Sequence, residues 1–552
     1  MKKLIVLLLI IPQCILAQDY VAKGDSCFAL KDYVCAATNY DLYLKTDASN
    51  GIAYRAAVSW SLANNKEKAL EAVRTYVKFN YSNGMYVFSK KLINDKNFDL
   101  LKNDPQWTAI IADVQTKEQE VIKARQKRVD SALAVQHSIE QDGMLKKLNF
   151  EGDDAKAAYQ KIKHYNRYPA ISAKYLSLQF QLTDSSHTAF LVVMPPNYNS
   201  KRSYPVMFFL HGAVNSNLGY SDMIEYPEWE MGGWNRFYTK YAGNVIMVYP
   251  HGGRDYNWMY PDKGFFMVPA MLRQIKNIIN VDDNRVFITG HSNGATGSFS
   301  YLMKQPSPYA AFYGFNTRPR VATGGTYPRN ILNRSFFNVS TDQDYYFPPG
   351  ANDSLSVTMK KIGADYQDHR YNGFPHWFPK FDESEPAFKM LFADLAKRRR
   401  NPFRASVTWE CDDIKYGRCD WLQITELDTT AKRAAWQTDI NFAIKKWIDL
   451  DKESKPIVHD TTLMAFKYNK KSGAVEAVYK NNVFTVETSD VKAFSIWLSP
   501  EMVDLSKPVS IIVNGKLHSK QELGYNKELI LESFKTSADR SAIWVNRIDV
   551  RL

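Results

Sequence analysis

The chain has 552 residues, 45% of them hydrophobic and 14% aromatic, and this length predicts several domains rather than one core. Its formal net charge of +13 is spread along the whole sequence, with one dense basic run at Lys397-Arg398-Arg399-Arg400. Dispersed charge of this kind predicts no nucleic-acid partner, and the run is expected as the solvated end of a helix that finishes near Ala396.

Met1-Lys2-Lys3 and the apolar stretch Leu4–Ile11 precede Ile15-Leu16-Ala17, so residues 1–17 are expected to form a removable secretory leader. The apolar run is too short to span a bilayer, and no later stretch reaches spanning length, so no transmembrane segment is expected. Cys14 follows Pro12-Gln13 rather than small residues, which argues against a lipid anchor. A secreted or periplasmic location follows as an expectation. In that oxidising setting the remaining cysteines predict two local disulfides, Cys27 with Cys35 and Cys411 with Cys419. No Cys or His cluster has metal-ligand spacing, so no structural metal site is expected.

Residues 18–115 are expected to form a helical domain, in which Tyr20 to about Tyr81 carry a weak repeat of period 33, pairing Gly24 with Ala57, Cys27 with Trp60, Ala36 with Ala69, Tyr40 with Val73 and Tyr43 with Tyr76. Small residues where helices touch, with aromatics a turn away, resemble tetratricopeptide helix pairs. So short an array offers little concave surface, so a structural cap is expected ahead of a protein-binding groove. Residues 116–165 are expected to connect, with a helix over Lys117–Gln141 carrying apolar residues at helical spacing.

Residues 166–400 hold the chemistry. Val206–Leu210 reads as a strand buried on both faces and ends in His211-Gly212-Ala213. Arg285–Thr289 is a second apolar strand, broken by Gly290-His291-Ser292-Asn293-Gly294 and followed by residues able to open a helix. A strained strand-to-helix turn projects the Ser292 hydroxyl from the sheet edge, and Gly290 and Gly294 let the two backbones pass closely. A serine nucleophile needs a histidine base, and that base needs a carboxylate. Ser335–Ser340 predicts a further strand running into Asp342 and Asp344. Asp344 is favoured as the acid, and Asp342 is the alternative, otherwise a turn former. His376, in the irregular Gly373-Phe374-Pro375-His376 loop, is favoured as the base over His369, His291, His211 and His251. The backbone N–H groups of Ala213 and Asn293 are the expected oxyanion donors. Trp258, Tyr260 and Trp377 are candidates for an aromatic substrate wall, with loop packing as the alternative.

Three segments taken with the Gly-x-Ser-x-Gly turn resemble the secreted α/β-hydrolases of the polyhydroxybutyrate depolymerase, feruloyl esterase and acetylxylan esterase type. They are Leu210-His211-Gly212, Tyr249-Pro250-His251-Gly252-Gly253-Arg254 and Gly373-Phe374-Pro375-His376. The resemblance covers Leu176 to Leu395 and implies an α/β fold with a doubly wound sheet, a Ser292-Asp344-His376 triad and no cofactor. It departs from the pattern at Gly294-Ala295-Thr296-Gly297, where relatives carry consecutive glycines, and at Trp377 beside the base. Carboxylic ester hydrolysis on acylated glycan or polyester is the implied activity. A prolyl-oligopeptidase-type peptidase and a non-catalytic binding scaffold are the alternatives.

Residues 401–552 change character. Trp421–Thr425, Val483–Glu487 and Ala493–Leu498 read as strands, and Val509–Leu517 as a hairpin turning at Asn514-Gly515. A β-rich accessory domain is expected, interrupted by a helix over Ala431–Asp449.

Overall fold

The computed structural model describes residues 11–47, 49–82, 87–214, 224, 231–259, 264–318, 320–321, 324–347, 349–450, 456–468 and 470–552, the side chains of 11–18, 82, 447–450 and 456 excepted. The expected leader and its cleavage point therefore lie outside the residues described with side chains. Among the described residues no helix is long and apolar enough to cross a membrane. The chain divides into two compact units, Met1–Ser131 and Ala132–Leu552.

The first unit is helical. Helices Ile11–Ala29 and Tyr33–Leu44 form one hairpin, and Asn50–Leu62 and Lys66–Ser82 form the next. The paired positions Ala36 and Ala69 are both fully buried, and Tyr40 and Val73 beside them are buried as well. A side chain at Gly24 would strike the Tyr40 ring at 2.5 Å, which explains the small residue where the first two helices meet. The Cys27–Cys35 disulfide ties the same two helices together, with Cα atoms 5.8 Å apart. Helix Pro105–Gln141 is unbroken for 37 residues, so the connecting helix expected from Lys117 begins instead at Pro105.

The second unit is built on an eight-stranded sheet in the order β1-β2-β4-β3-β5-β6-β7-β8. Its strands are β1 (Tyr175–Gln181), β2 (His187–Val193), β3 (Tyr204–Leu210), β4 (Ile246–Pro250), β5 (Val281–Gly290), β6 (Ala311–Phe315), β7 (Ser335–Gln343) and β8 (Tyr366–Pro375). β1 and β2 pair antiparallel at one edge, and β3 to β8 run parallel. Every residue of β3, β4 and β6 is buried, as in a sheet covered on both faces. One face packs on helices Met267–Ile278 and Asn293–Lys304, the other on Arg236–Tyr241 and Glu385–Lys397. From β3 the order runs outward to β4 on one side and to β5 on the other. The carboxyl ends of β3 and β5, where Leu210 lies opposite Gly290, therefore form a topological switch point.

The rest of the chain is β-rich. One sheet is β10-β11-β16-β19 and the other β18-β17-β15-β14-β9. The strands are β9 (Ser406–Cys411), β10 (Arg418–Cys419), β11 (Leu422–Leu427), β14 (Gly473–Lys480), β15 (Val483–Ser489), β16 (Val491–Leu498), β17 (Val509–Val513), β18 (Lys516–Gln521) and β19 (Asn546–Arg551). Their inner faces share one core, including Trp409, Trp421, Phe484, Phe494 and Ile548. The β17–β18 hairpin turns at Asn514 and Gly515 with φ of 48° and 78°, the double left-handed conformation such a turn requires. Three expectations are corrected here. No helix forms over Ala431–Asp449. That segment is irregular up to Phe442 and then enters β12 (Ala443–Leu450), which pairs with β13 (Pro456–Met464), so the tertiary pairing overrode its helical spacing. Cys411 and Cys419 are free thiols, both buried in the shared core rather than bonded to each other. The basic run is a solvated helix end only in part: the helix stops at Lys397, and Lys397 and Arg399 are exposed, but Arg400 is buried on Asp539 and Arg398 meets Asp365 and Asp394.

Candidate active site

Ser292 lies two residues past the end of β5, after His291, and caps helix Asn293–Lys304 with φ 58° and ψ −122°, a conformation that L side chains adopt only where the surroundings enforce it. The glycines around it explain how. A Cβ on Gly294 would lie 1.7 Å from the Leu210 carbonyl oxygen, and one on Gly290 would lie 2.4 Å from the Gly294 carbonyl carbon. The turn is held by Ser292 N–H donating to the Phe315 carbonyl at 3.0 Å and Gly294 N–H to the His291 carbonyl at 2.9 Å. Asn293 is the first helical residue, so its N–H has no acceptor within the helix.

Asp344 and His376 follow the carboxyl ends of β7 and β8 and are 2% and 3% exposed, so their contact is made out of water. His376 Nδ1 lies 2.9 Å from both Asp344 carboxylate oxygens, which leaves Nε2 as the nitrogen directed elsewhere. Asp344 also accepts from Asn316 Nδ2 at 2.9 Å and from the backbone N–H groups of Tyr346 and Phe347 at 3.0 Å. Four donors on one buried carboxylate fix its orientation. Asn316 itself sits at φ 55° just after β6 and reaches Thr341 Oγ1 as well at 2.7 Å. The alternative acid, Asp342, is spent otherwise: its carboxylate accepts the Gly373 N–H at 2.8 Å and so holds the end of β8 that delivers His376.

The neighbouring histidines shape the site. His291 Nε2 is 2.8 Å from the His376 carbonyl oxygen and therefore donates to it. Burial, reinforced by the His376 ring alongside, pushes His291 down to about 3, so it stays neutral. His211 Nδ1 donates to the Gly212 carbonyl at 2.7 Å, and its Nε2 accepts the Gly252 N–H at 3.0 Å. That pair of bonds ties the Gly212-Ala213 turn, where Ala213 has φ 53°, to the chain after β4.

Ser292, His376, Ala213 and Asn293 line one cavity of about 950 Å³, with Asp344 behind His376. This is within the size range of small-molecule sites. Trp377, 44% exposed, lies on its wall. Trp258 does not: it is 1% exposed, packs edge-on against His211 with ring centroids 4.7 Å apart, and donates Nε1 to the His211 carbonyl at 3.2 Å. Its indole fills the space left by Gly252 and Gly297, so it supports the Gly212 turn from below. Tyr260 lies outside the described residues. Trp234 and Tyr346 complete the aromatic wall, with ring centroids 5.6 Å and 5.7 Å from Trp377. Neither carried a motif, and Arg318, which also lines the cavity, had no local signal either.

No family model matches this chain, and no curated protein matches it. Solved structures do resemble part of it. A thermostable esterase matches at 20% identity and a TM-score of 0.34, over 41% of this chain and 64% of that one. A ferulic acid esterase matches at 18% identity and a TM-score of 0.33, over 40% and 98%. Dipeptidyl peptidase 4 of Porphyromonas gingivalis matches at 12% identity and a TM-score of 0.32, over 45% and 38%.

Proposed function

We propose that the chain is a serine hydrolase that cleaves carboxylic esters through Ser292, His376 and Asp344, with an acylated polysaccharide or polyester as substrate. The observation that carries this reading is the buried Asp344–His376 pair at 2.9 Å, sharing one cavity edge with a serine in a strained strand-to-helix turn. His376 Nε2 takes the proton as Ser292 Oγ attacks the ester carbonyl, and Asp344 stabilises the imidazolium that forms. The N–H groups of Ala213 and Asn293 hold the developing oxyanion. His376 then protonates the leaving alcohol, and water, deprotonated in turn by His376, releases the acid from the acyl-enzyme. The aromatic wall of Trp234, Tyr346 and Trp377 favours a flat or apolar group next to the scissile bond.

The test pairs the purified protein with Ser292→Ala on p-nitrophenyl acetate and butyrate, methyl ferulate, acetylated xylan and a prolyl-peptide amide. Ester release is expected from the parent and a loss of about 10⁴-fold or more in the variant, which must unfold cooperatively like the parent. Equal turnover by both proteins overturns the reading. Release from the amide alone moves the chain to the peptidases.

A further inference from the structure

A second cavity, of about 440 Å³, lies against helix Lys527–Ser537 in the 132–552 unit and shares no lining residue with the Ser292 cavity. It is large enough for one sugar-sized ligand. Arg418, on β10, lines it. The other cations in and beside this wall are matched to carboxylates: Arg400 is bidentate on Asp539, and Arg334 is bidentate on Asp420. Arg418 is matched to none. Its Nε donates to the backbone carbonyl of Asp420 at 3.2 Å, and no described residue accepts from its terminal nitrogens.

The guanidinium carbon instead sits over aromatic rings, 4.1 Å from the Trp497 centroid and 5.5 Å from that of Trp544. Arg547 lies 5.2 Å from the same Trp497 ring but is paired with Asp549. Cation–π contact orients Arg418 and offsets part of its lost hydration without supplying a counter-charge. Burial accordingly pushes Arg418 down to about 10, against the partial support of Asp420. An oriented guanidinium fork with open donors is the complement of a carboxylate. Glu528 and Glu532 also line the cavity, are exposed on the helix and make no ion pair with any described residue. Two carboxylates there repel a polyanion and accept hydrogen bonds from hydroxyl groups.

We propose that this cavity binds a monoanionic sugar of the hexuronate type, its carboxylate on Arg418 and its hydroxyls on Glu528 and Glu532. The site is independent of the reaction at Ser292 and gives the β-rich region the job of holding a sugar that carries a single carboxylate.

Isothermal titration of the intact chain with sodium D-glucuronate, D-glucose, acetate and inorganic sulfate tests it. Saturable glucuronate binding is expected, at least about tenfold tighter than any of the other three. Arg418→Lys keeps the charge but not the fork, and weakens glucuronate by about tenfold. Glu532→Gln, at an exposed helical position, weakens glucuronate by about threefold and leaves acetate unchanged. If Arg418→Lys fails to fold, Glu532→Gln decides alone. Tighter sulfate or acetate binding, equal glucose binding, indifference of glucuronate to the substitutions, or no saturation by glucuronate up to about 50 mM each overturns the proposal.

Discussion

In the proposed mechanism Asn316 positions Asp344, the proposed acid, through its amide. Its amide is the only side-chain donor on Asp344 besides His376 among the described residues, and both groups are buried. Asn316→Ala removes a charge-assisted bond inside the site, so kcat is expected to fall about 10- to 100-fold with KM little changed. Steady-state kinetics on p-nitrophenyl butyrate separate the two constants; a variant that raises KM alone denies Asn316 the positioning role. His291 makes a different prediction. Its folded value of about 3 lies below the ordinary 6.5, so as pH falls below 6.5 the unfolded chain binds a proton that the folded chain refuses. Stability is therefore lost from about pH 6.5 downward, at up to about 1.4 kcal/mol per unit, or about 2 kcal/mol by pH 5. The difference in denaturant stability between pH 7.5 and pH 5 is expected to shrink by that amount in His291→Phe. An unchanged difference places the acid sensitivity elsewhere.

Among the elements, the β5 turn and the helix it opens were the most legible in sequence. An apolar strand, two glycines around a serine and a helix-forming run lie within twenty residues, so local chemistry alone specifies the geometry. The steric margin is small. Gly294→Ala must push the Leu210 carbonyl aside from 1.7 Å, and this displaces Ser292 against β3. A loss of about 100-fold or more in kcat/KM is expected, measured with an ester substrate and checked against retained far-UV circular dichroism. The β17–β18 hairpin was equally legible, because Asn514-Gly515 dictates its own turn. Ala431–Asp449 was misread because short apolar spacing fits a helix as well as a paired strand, and only the partner β13 chooses between them.

For the second unit as a whole, the β-rich region is joined to the eight-stranded sheet by buried ion pairs, four of which share one polarity, while Arg540 on Asp283 runs the other way. The sheet side supplies the cations Lys276, Lys304, Arg329 and Arg334, and the β-rich side supplies Asp539, Asp412, Glu410 and Asp420. Lys276 and Arg400 together hold Asp539 well below the usual carboxylate range despite its burial. Breaking such a cluster leaves uncompensated charge in a low-dielectric setting, so Asp539→Asn is expected to destabilise the unit by about 3–5 kcal/mol. Urea unfolding followed by tryptophan fluorescence reads this, and a change below about 1 kcal/mol removes the cluster from the interface account. The sequence by itself determined the chain order of the site segments, the strand-to-helix turn at Ser292, the residues proposed as acid and base, and the hairpin chemistry, because each is written in residues close together in the chain. Only the tertiary structure decided that Trp258 is packing while Trp234 is wall, that His291 steadies the His376 loop 85 residues away, and that Arg418 forms no ion pair with a carboxylate among the described residues. Those assignments depend on contacts between segments distant in the chain, and no local pattern encodes which distant surface a side chain will meet.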